Sequence, residues 1–142
     1  MSIRIAEPND AAAIGELVVQ LGYPISTDDA RRRLVQLLGR ADHAVFVATE
    51  SGDVVGFIHI CVTETLEHEP YGEIKGLAVG EGHQNRGTGA QLLESAEGWA
   101  SQRGLSIVRV RSNVKRDRAR SFYERHGYEV TKVQNIFDKR LQ

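Results

Sequence analysis

At 142 residues the chain has the length of one domain, 1–142, whose core needs no covalent staples. Its 41% hydrophobic and 26% charged residues are those of an ordinary soluble protein, and a net charge of −1 supplies no overall field for nucleic acid or an anionic membrane. Cys61 is the single cysteine, which excludes an intrachain disulfide and fits a reducing, cytoplasmic setting. The opening Met1-Ser2-Ile3-Arg4-Ile5-Ala6-Glu7 carries charges where a signal peptide needs its apolar stretch. No apolar run approaches the ~18 residues of a membrane span.

In chain order, Ile3–Ala6 alternates as a short first strand. Pro8-Asn9-Asp10 opens a helix whose apolar face is Ile14, Leu17, Val18 and Leu21, and Gly22-Tyr23-Pro24 stops it. Ser26 or Thr27 can cap a second helix, with Asp28 and Asp29 in its first turn and Ala30, Leu34, Leu37 and Leu38 on one face. Strands Ala44–Glu50 and Val54–Thr65 follow, joined as a hairpin through Ser51-Gly52-Asp53. A polar loop, Leu66–Pro70, leads to a fourth strand, Gly72–Val79. A Gly-rich stretch then opens a long helix, Gly87–Arg103. Ile107–Ser112 is a fifth strand, Arg118–His126 a short helix, and Tyr128–Val133 with Ile136–Leu141 a final hairpin. The fourth strand, long helix and fifth strand make a right-handed crossover with parallel strands, while the hairpins are antiparallel. The expected fold is therefore α/β (α+β): a mixed, mostly antiparallel sheet of six to seven strands flanked by about four helices.

The stretch from Leu77 to Leu93 carries the most chemistry. A buried strand enters a Gly-rich turn that opens a helix, which presents unpaired backbone N–H groups and the positive end of the helix dipole. Glycines allow close backbone approach, so the natural guest is a phosphate or pyrophosphate. A dinucleotide fingerprint would need a third Gly and a later acidic residue, and a P-loop would need Lys-Ser/Thr; Gly87-Thr88-Gly89-Ala90-Gln91-Leu92 has neither. On spacing alone, the glycines could also serve only to make a tight turn.

Gln84-x-x-Gly87-x-Gly89 resembles the coenzyme A pyrophosphate signature of the GNAT acetyltransferase superfamily, Gln/Arg-x-x-Gly-x-Gly/Ala. Downstream, Asn113 followed by Ala119-x-x-Phe122-Tyr123-x-x-x-Gly127-Tyr128 resembles a second pattern of that superfamily. The resemblance implies an acetyl-coenzyme A-dependent N-acetyltransferase. Backbone N–H groups from Asn85 through Arg86, Gly87, Thr88 and Gly89 to Ala90 would hold the pyrophosphate. A bulge would splay the fourth strand from the fifth, and the pantetheine arm would enter the gap beside Leu77, Ala78 and Val79, with Asn113 bonding it. A bulge N–H would polarise the thioester carbonyl.

Tyr123 is the candidate acid for the departing thiolate, since a phenol holds its proton at neutral pH and the position matches the superfamily's usual acid. Alternatively it belongs to the buried face of a short helix with Ala119, Phe122 and His126. Glu73 is the candidate base, a polar residue on a central strand; alternatively it is an ion-pair partner of Lys75 or a nearby Arg. Arg109, Arg111 and Asn113 share one face of the fifth strand, where a parallel central strand should be apolar, so that face opens on a polar groove or meets Glu73 and Lys75.

Lys115-Arg116-Asp117-Arg118-Ala119-Arg120 is the densest basic run, a solvated helix start or an anchor for the coenzyme's 3′-phosphate or an anionic substrate. Within the superfamily, Gly72-Glu73-Ile74 and Phe137-Asp138-Lys139-Arg140-Leu141 look closest to aminoalkylphosphonate N-acetyltransferases, which implies a small amine bearing an anionic group as partner. Leu21–Ile25 and Glu67-His68-Glu69 would line the substrate mouth. The histidines have no third ligand at metal-binding spacing, and Cys61 reads as core rather than as an acyl carrier. No nucleic-acid or membrane partner is expected, and a homodimer is implied by resemblance alone. A non-catalytic acyl-coenzyme A sensor and acetylation of a protein or aminoacyl-tRNA amine are the competing readings.

Overall fold

A computed structural model describes all 142 residues. Five strands, β1 (Ser2–Ile5), β2 (His43–Glu50), β3 (Asp53–Thr63), β4 (Tyr71–Val79) and β5 (Val108–Val110), lie side by side in that order in one sheet. The helices are α1 (Ala11–Gln20), α2 (Thr27–Leu38), α3 (Thr88–Gln102) and α4 (Asp117–Arg125). Neighbouring strands are antiparallel except β4 and β5, which run parallel with α3 as their crossover. The chain divides into two compact units, Met1–Arg111 and Ser112–Gln142.

Local chemistry accounts for the element ends. Pro8–Asp10 forms a single 3-10 turn before α1, in which Asp10 accepts the Glu7 backbone N–H at 2.7 Å and is gripped by Arg4 at 2.7 and 2.9 Å. Ser26 caps α2 by accepting the Asp29 N–H at 3.1 Å. Ser51 and Gly52 both take positive φ, +50° and +87°, the two-residue turn that matches strand twist and joins β2 to β3.

One face of the sheet packs beneath α1 and α2, where Val45, Val47, Phe57 and Ala78 meet Ile14, Leu17 and Leu34. The other face receives α3 so closely that a methyl group on Gly56 would come within 3.1 Å of Leu92, and one on Gly72 within 3.3 Å of Ala100. These two glycines let the crossover helix settle onto β3 and β4, and so fix where its N-terminus begins.

The strand count corrects the expectation of six or seven. Residues 128–142 hold no strand, and the β5 ladder spans only Val108–Val110 rather than 107–112. Alternation is a side-chain pattern, whereas a strand also needs a neighbouring backbone to complete its ladder. In the second unit α4 closes through the Tyr128 N–H to the Tyr123 carbonyl at 3.0 Å, with Gly127 at φ +90°.

Candidate active site

The β4 strand changes its pairing along its length. β5 pairs it only at Gly72, Glu73 and Ile74, whereas β3 pairs it through to Val79. Between those limits His59 faces Gly76 while Ile60 faces Ile74, so Lys75 is an extra residue and the strand bulges there. From Lys75 to Val79 the β5-side edge of β4 has no β5 partner. Such an edge, with one bulge, can accept an extended arm as a further strand.

Beyond Val79 the chain runs into the Gly-rich turn. Gly82, Asn85 and Gly87 take φ of +85°, +64° and +80°, and nothing lies within 4 Å of where a side chain on Gly82 or Gly87 would begin. The glycines are therefore required by backbone conformation rather than by packing. Gly87 is the N-cap of α3 and offers no side-chain cap, unlike Ser26 at α2. The first N–H groups of α3, at Thr88, Gly89 and Ala90, are left for an oxyanion. Thr88 is 1% exposed, and its Oγ1 has no protein partner. An orphaned hydroxyl beneath an uncapped helix start fits a site that an anionic group completes.

Side chains distant in sequence brace this turn. The Val79 carbonyl accepts both Gln84 Nε2 at 3.1 Å and Gln20 Nε2 at 2.9 Å, while Gln20 Oε1 accepts the Glu81 N–H. Glu50 pairs with His83 at 3.0 Å and with Arg86 at 3.4 Å. Gln84 and Arg86, expected among the coenzyme-binding residues, are thus turn braces through their side chains. Gln20, Glu50 and His83 had no sequence signal, because their partners lie 33 or more positions away.

Glu73 is buried, 4% exposed, at the end where β4 and β5 pair. Thr63 donates its hydroxyl to Oε1 at 2.8 Å, Lys75 reaches the same oxygen at 3.4 Å, and Arg111 Nε donates to Oε2 at 3.0 Å. Burial alone would push the carboxyl up, but the Thr63 bond, the Lys75 charge and the Arg111 bond together hold it below the usual carboxylate range. The ion pair weighed for Glu73 is therefore present. A carboxylate with three donors is ionised and only weakly basic.

On the same sheet face, His59 Nε2 and His43 Nδ1 lie 2.9 Å apart. Burial, then His43 and Lys75, push the His59 imidazole down to about 4, so it is neutral at physiological pH. Burial pushes the Cys61 thiol up, which leaves it protonated and unsuited to carry an acyl group. No group of three or more His, Cys, Asp or Glu is placed to hold a metal ion.

In the second unit, Tyr123 packs edge-on against Phe122 and Tyr128, with ring centroids 5.2 and 5.6 Å away. Burial pushes its phenol up to about 12. Asn113 accepts the Lys115 N–H on its side-chain oxygen at 3.0 Å, which leaves its amide nitrogen to bond a ligand.

The family model described as the acetyltransferase (GNAT) family matches residues 11–128. The chain belongs to the GNAT acetyltransferase family. An uncharacterized N-acetyltransferase of Bacillus subtilis, YhfO, is 30% identical over 134 residues, 91% of this chain and 90% of that protein. The aminoalkylphosphonate N-acetyltransferase of Salmonella typhimurium is 37% identical over 84 residues, 58% of this chain and 54% of that one. Among solved structures, the aminoglycoside 6′-N-acetyltransferase AAC(6′)-Ig of Acinetobacter haemolyticus superposes with a TM-score of 0.86 at 19% identity, covering 100% of both chains. AAC(6′)-Iy, in complex with a bisubstrate analogue of coenzyme A, gives 0.87 at 19% identity over 99% of this chain and 98% of that one. At that identity the likeness is one of fold. As a GNAT enzyme, the protein is an acetyl-coenzyme A-dependent N-acetyltransferase.

Proposed function

We propose that this GNAT enzyme acetylates the primary amine of a small molecule, by direct attack of the amine on the thioester in a ternary complex. One observation carries the reading: the open edge of β4 leads from the buried carboxylate Glu73, past the bulge at Lys75, to the uncapped start of α3. The N–H groups of Asn85 to Ala90 bind the pyrophosphate, and the backbone of Leu77, Ala78 and Val79 aligns the pantetheine arm. Asn113 bonds that arm through its amide nitrogen. The whole chain, 1–142, acts as one acetyltransferase domain.

In this reading Glu73 assists deprotonation of the amine as it attacks, directly or through water. Because three donors hold Glu73 low, the fraction of neutral amine follows the amine's own pKa, and kcat/KM rises with pH until the amine is deprotonated. An N–H at the bulge stabilises the oxyanion of the tetrahedral intermediate. Tyr123 donates to the departing thiolate. Its phenol at about 12 is a weaker acid than a thiol of about 8.5, so much of its effect is a hydrogen bond to developing charge.

A small acceptor with an anionic group is favoured by the likeness to the aminoalkylphosphonate enzyme. A cytoplasmic location and a homodimer complete the reading. Thermal unfolding with and without acetyl-coenzyme A, followed by thiol release across amino acids, aminoalkylphosphonates, polyamines and aminoglycosides, tests it. A rise in Tm with turnover of a small amine is expected. A rise in Tm with turnover only on a protein or aminoacyl-tRNA amine would refute the small-molecule assignment.

A further inference from the structure

The sheet face beneath α1 and α2 changes character along its length. Under the helices it is apolar, with Phe57 and Ala78 in the core. Towards β5 the same face carries Thr63 from β3, Tyr71, Glu73 and Lys75 from β4, and Arg109 and Arg111 from β5. This end of the face is polar where the rest is apolar, and its cations stay open to solvent.

Cations outnumber carboxylates among these six residues. Glu73 is one carboxylate; Lys75, Arg109 and Arg111 are three cations. Lys75 and Arg111 take opposite oxygens of Glu73, at 3.4 and 3.0 Å, so one carboxylate is shared between two cations. Neither cation is enclosed, with side chains 44% and 51% exposed. Arg109 stands over the Tyr71 ring with its guanidinium carbon 4.4 Å from the centroid, a contact that leaves its positive charge uncompensated. With Arg111 already bonded to Glu73, Lys75 shares that carboxylate from the other side and Arg109 faces a ring rather than an anion. Arginine forks match the oxygens of carboxylates and phosphonates, and shared pairing with Glu73 positions Arg111 and Lys75 in advance.

We propose that Lys75, Arg109 and Arg111 form a subsite for an oxyacid group, so that the acceptor is a small amine that also carries a carboxylate, phosphonate or phosphate. The inference rests on the amine-acetylation reading given above and adds the residues that select the acceptor. The amine lies towards Glu73 and the acid group towards the three cations. Polycationic acceptors such as polyamines and aminoglycosides meet the same excess positive charge and are disfavoured.

The test compares each acid with an uncharged derivative, β-alanine against β-alanine amide and 2-aminoethylphosphonate against its diethyl ester, with kcat/KM expressed per neutral amine because the derivatives' amines are less basic. For at least one pair, wild-type kcat/KM for the acid should exceed that for its uncharged derivative by about tenfold or more, the scale of one charge-assisted hydrogen bond. Lys75→Gln and Arg109→Gln should each lower that ratio, mainly through KM, and coenzyme A affinity by calorimetry reports whether each variant is folded. In parallel, methylphosphonate is titrated into wild-type protein already saturated with coenzyme A, so that the pyrophosphate turn is occupied; binding there should weaken in Lys75→Gln. The stronger pair tells carboxylate from phosphonate acceptors. Ratios near one for both pairs in the wild type, or a ratio that both substitutions leave untouched, would overturn the subsite while leaving amine acetylation standing. No coenzyme binding and no turnover of any amine would instead sink the acetyltransferase reading on which the inference rests.

Discussion

Replacing His59 with Gln should change how stability depends on pH. His59 is held near 4 in the folded protein against an ordinary value of 6.5. Between those values the unfolded chain binds a proton at His59 that the folded chain does not, so stability falls as pH drops from 6.5 towards 4. At 1.36 kcal/mol per pH unit, the loss reaches about 3 kcal/mol. Gln keeps a group able to bond His43 but cannot be protonated. At pH 7.5 the variant should be about 1 kcal/mol less stable than wild type, the scale of a perturbed hydrogen bond. At about pH 4 the order should reverse, because only wild type bears the proton cost. Urea denaturation of both proteins across this range measures it, with the difference between them cancelling the carboxylates they share. Parallel curves, separated by a constant amount down to pH 4, would refute the claim that His59 is buried neutral.

Gly87→Ala forces a side chain into the left-handed conformation, at about 1–2 kcal/mol, in a place where no neighbour obstructs it. Coenzyme A affinity by calorimetry should therefore fall as the turn relaxes, with the melting temperature lowered by only a few degrees. Tyr123→Phe should lower kcat by about 100-fold with coenzyme affinity unchanged, and equal turnover would remove Tyr123 from the chemistry. Because the phenol stays protonated to about 12, wild-type kcat should show no falling limb between about pH 8 and 10; a limb there that Tyr123→Phe abolishes would contradict the assignment of its proton.

Much of the Gly-rich turn and the helix it opens was legible in the residues, because their determinants are local. Gly87 must be glycine for its own φ, and α3 follows from its own apolar face and the strand before it. The polar oddity at Arg109 and Arg111 was legible against the apolar norm for a parallel strand, and Arg111 does meet Glu73. A bulge in the fourth strand was expected only from resemblance and without a position; its place at Lys75 depends on how His59 and Ile60 fall opposite β4 and leaves no mark in the strand itself. The bracing of the turn by Gln20 and Glu50 was invisible because tertiary packing alone brings those residues there. At residues 128–142, the alternation predicted a hairpin that has no strand in the structure.

The extra residue at Lys75 also resets the strand's parity. Up to and including it the odd positions, Tyr71, Glu73 and Lys75, look towards the polar end of the face; after it the even positions, Gly76 and Ala78, turn to that face and press on Phe57 and the core. One strand is thereby divided into two separately editable registers. Substitutions at 71 and 75 can alter the polar half while the half that meets the core and the helices keeps its own pattern. The polar half can thus be re-edited without disturbing the stretch of strand that holds the core.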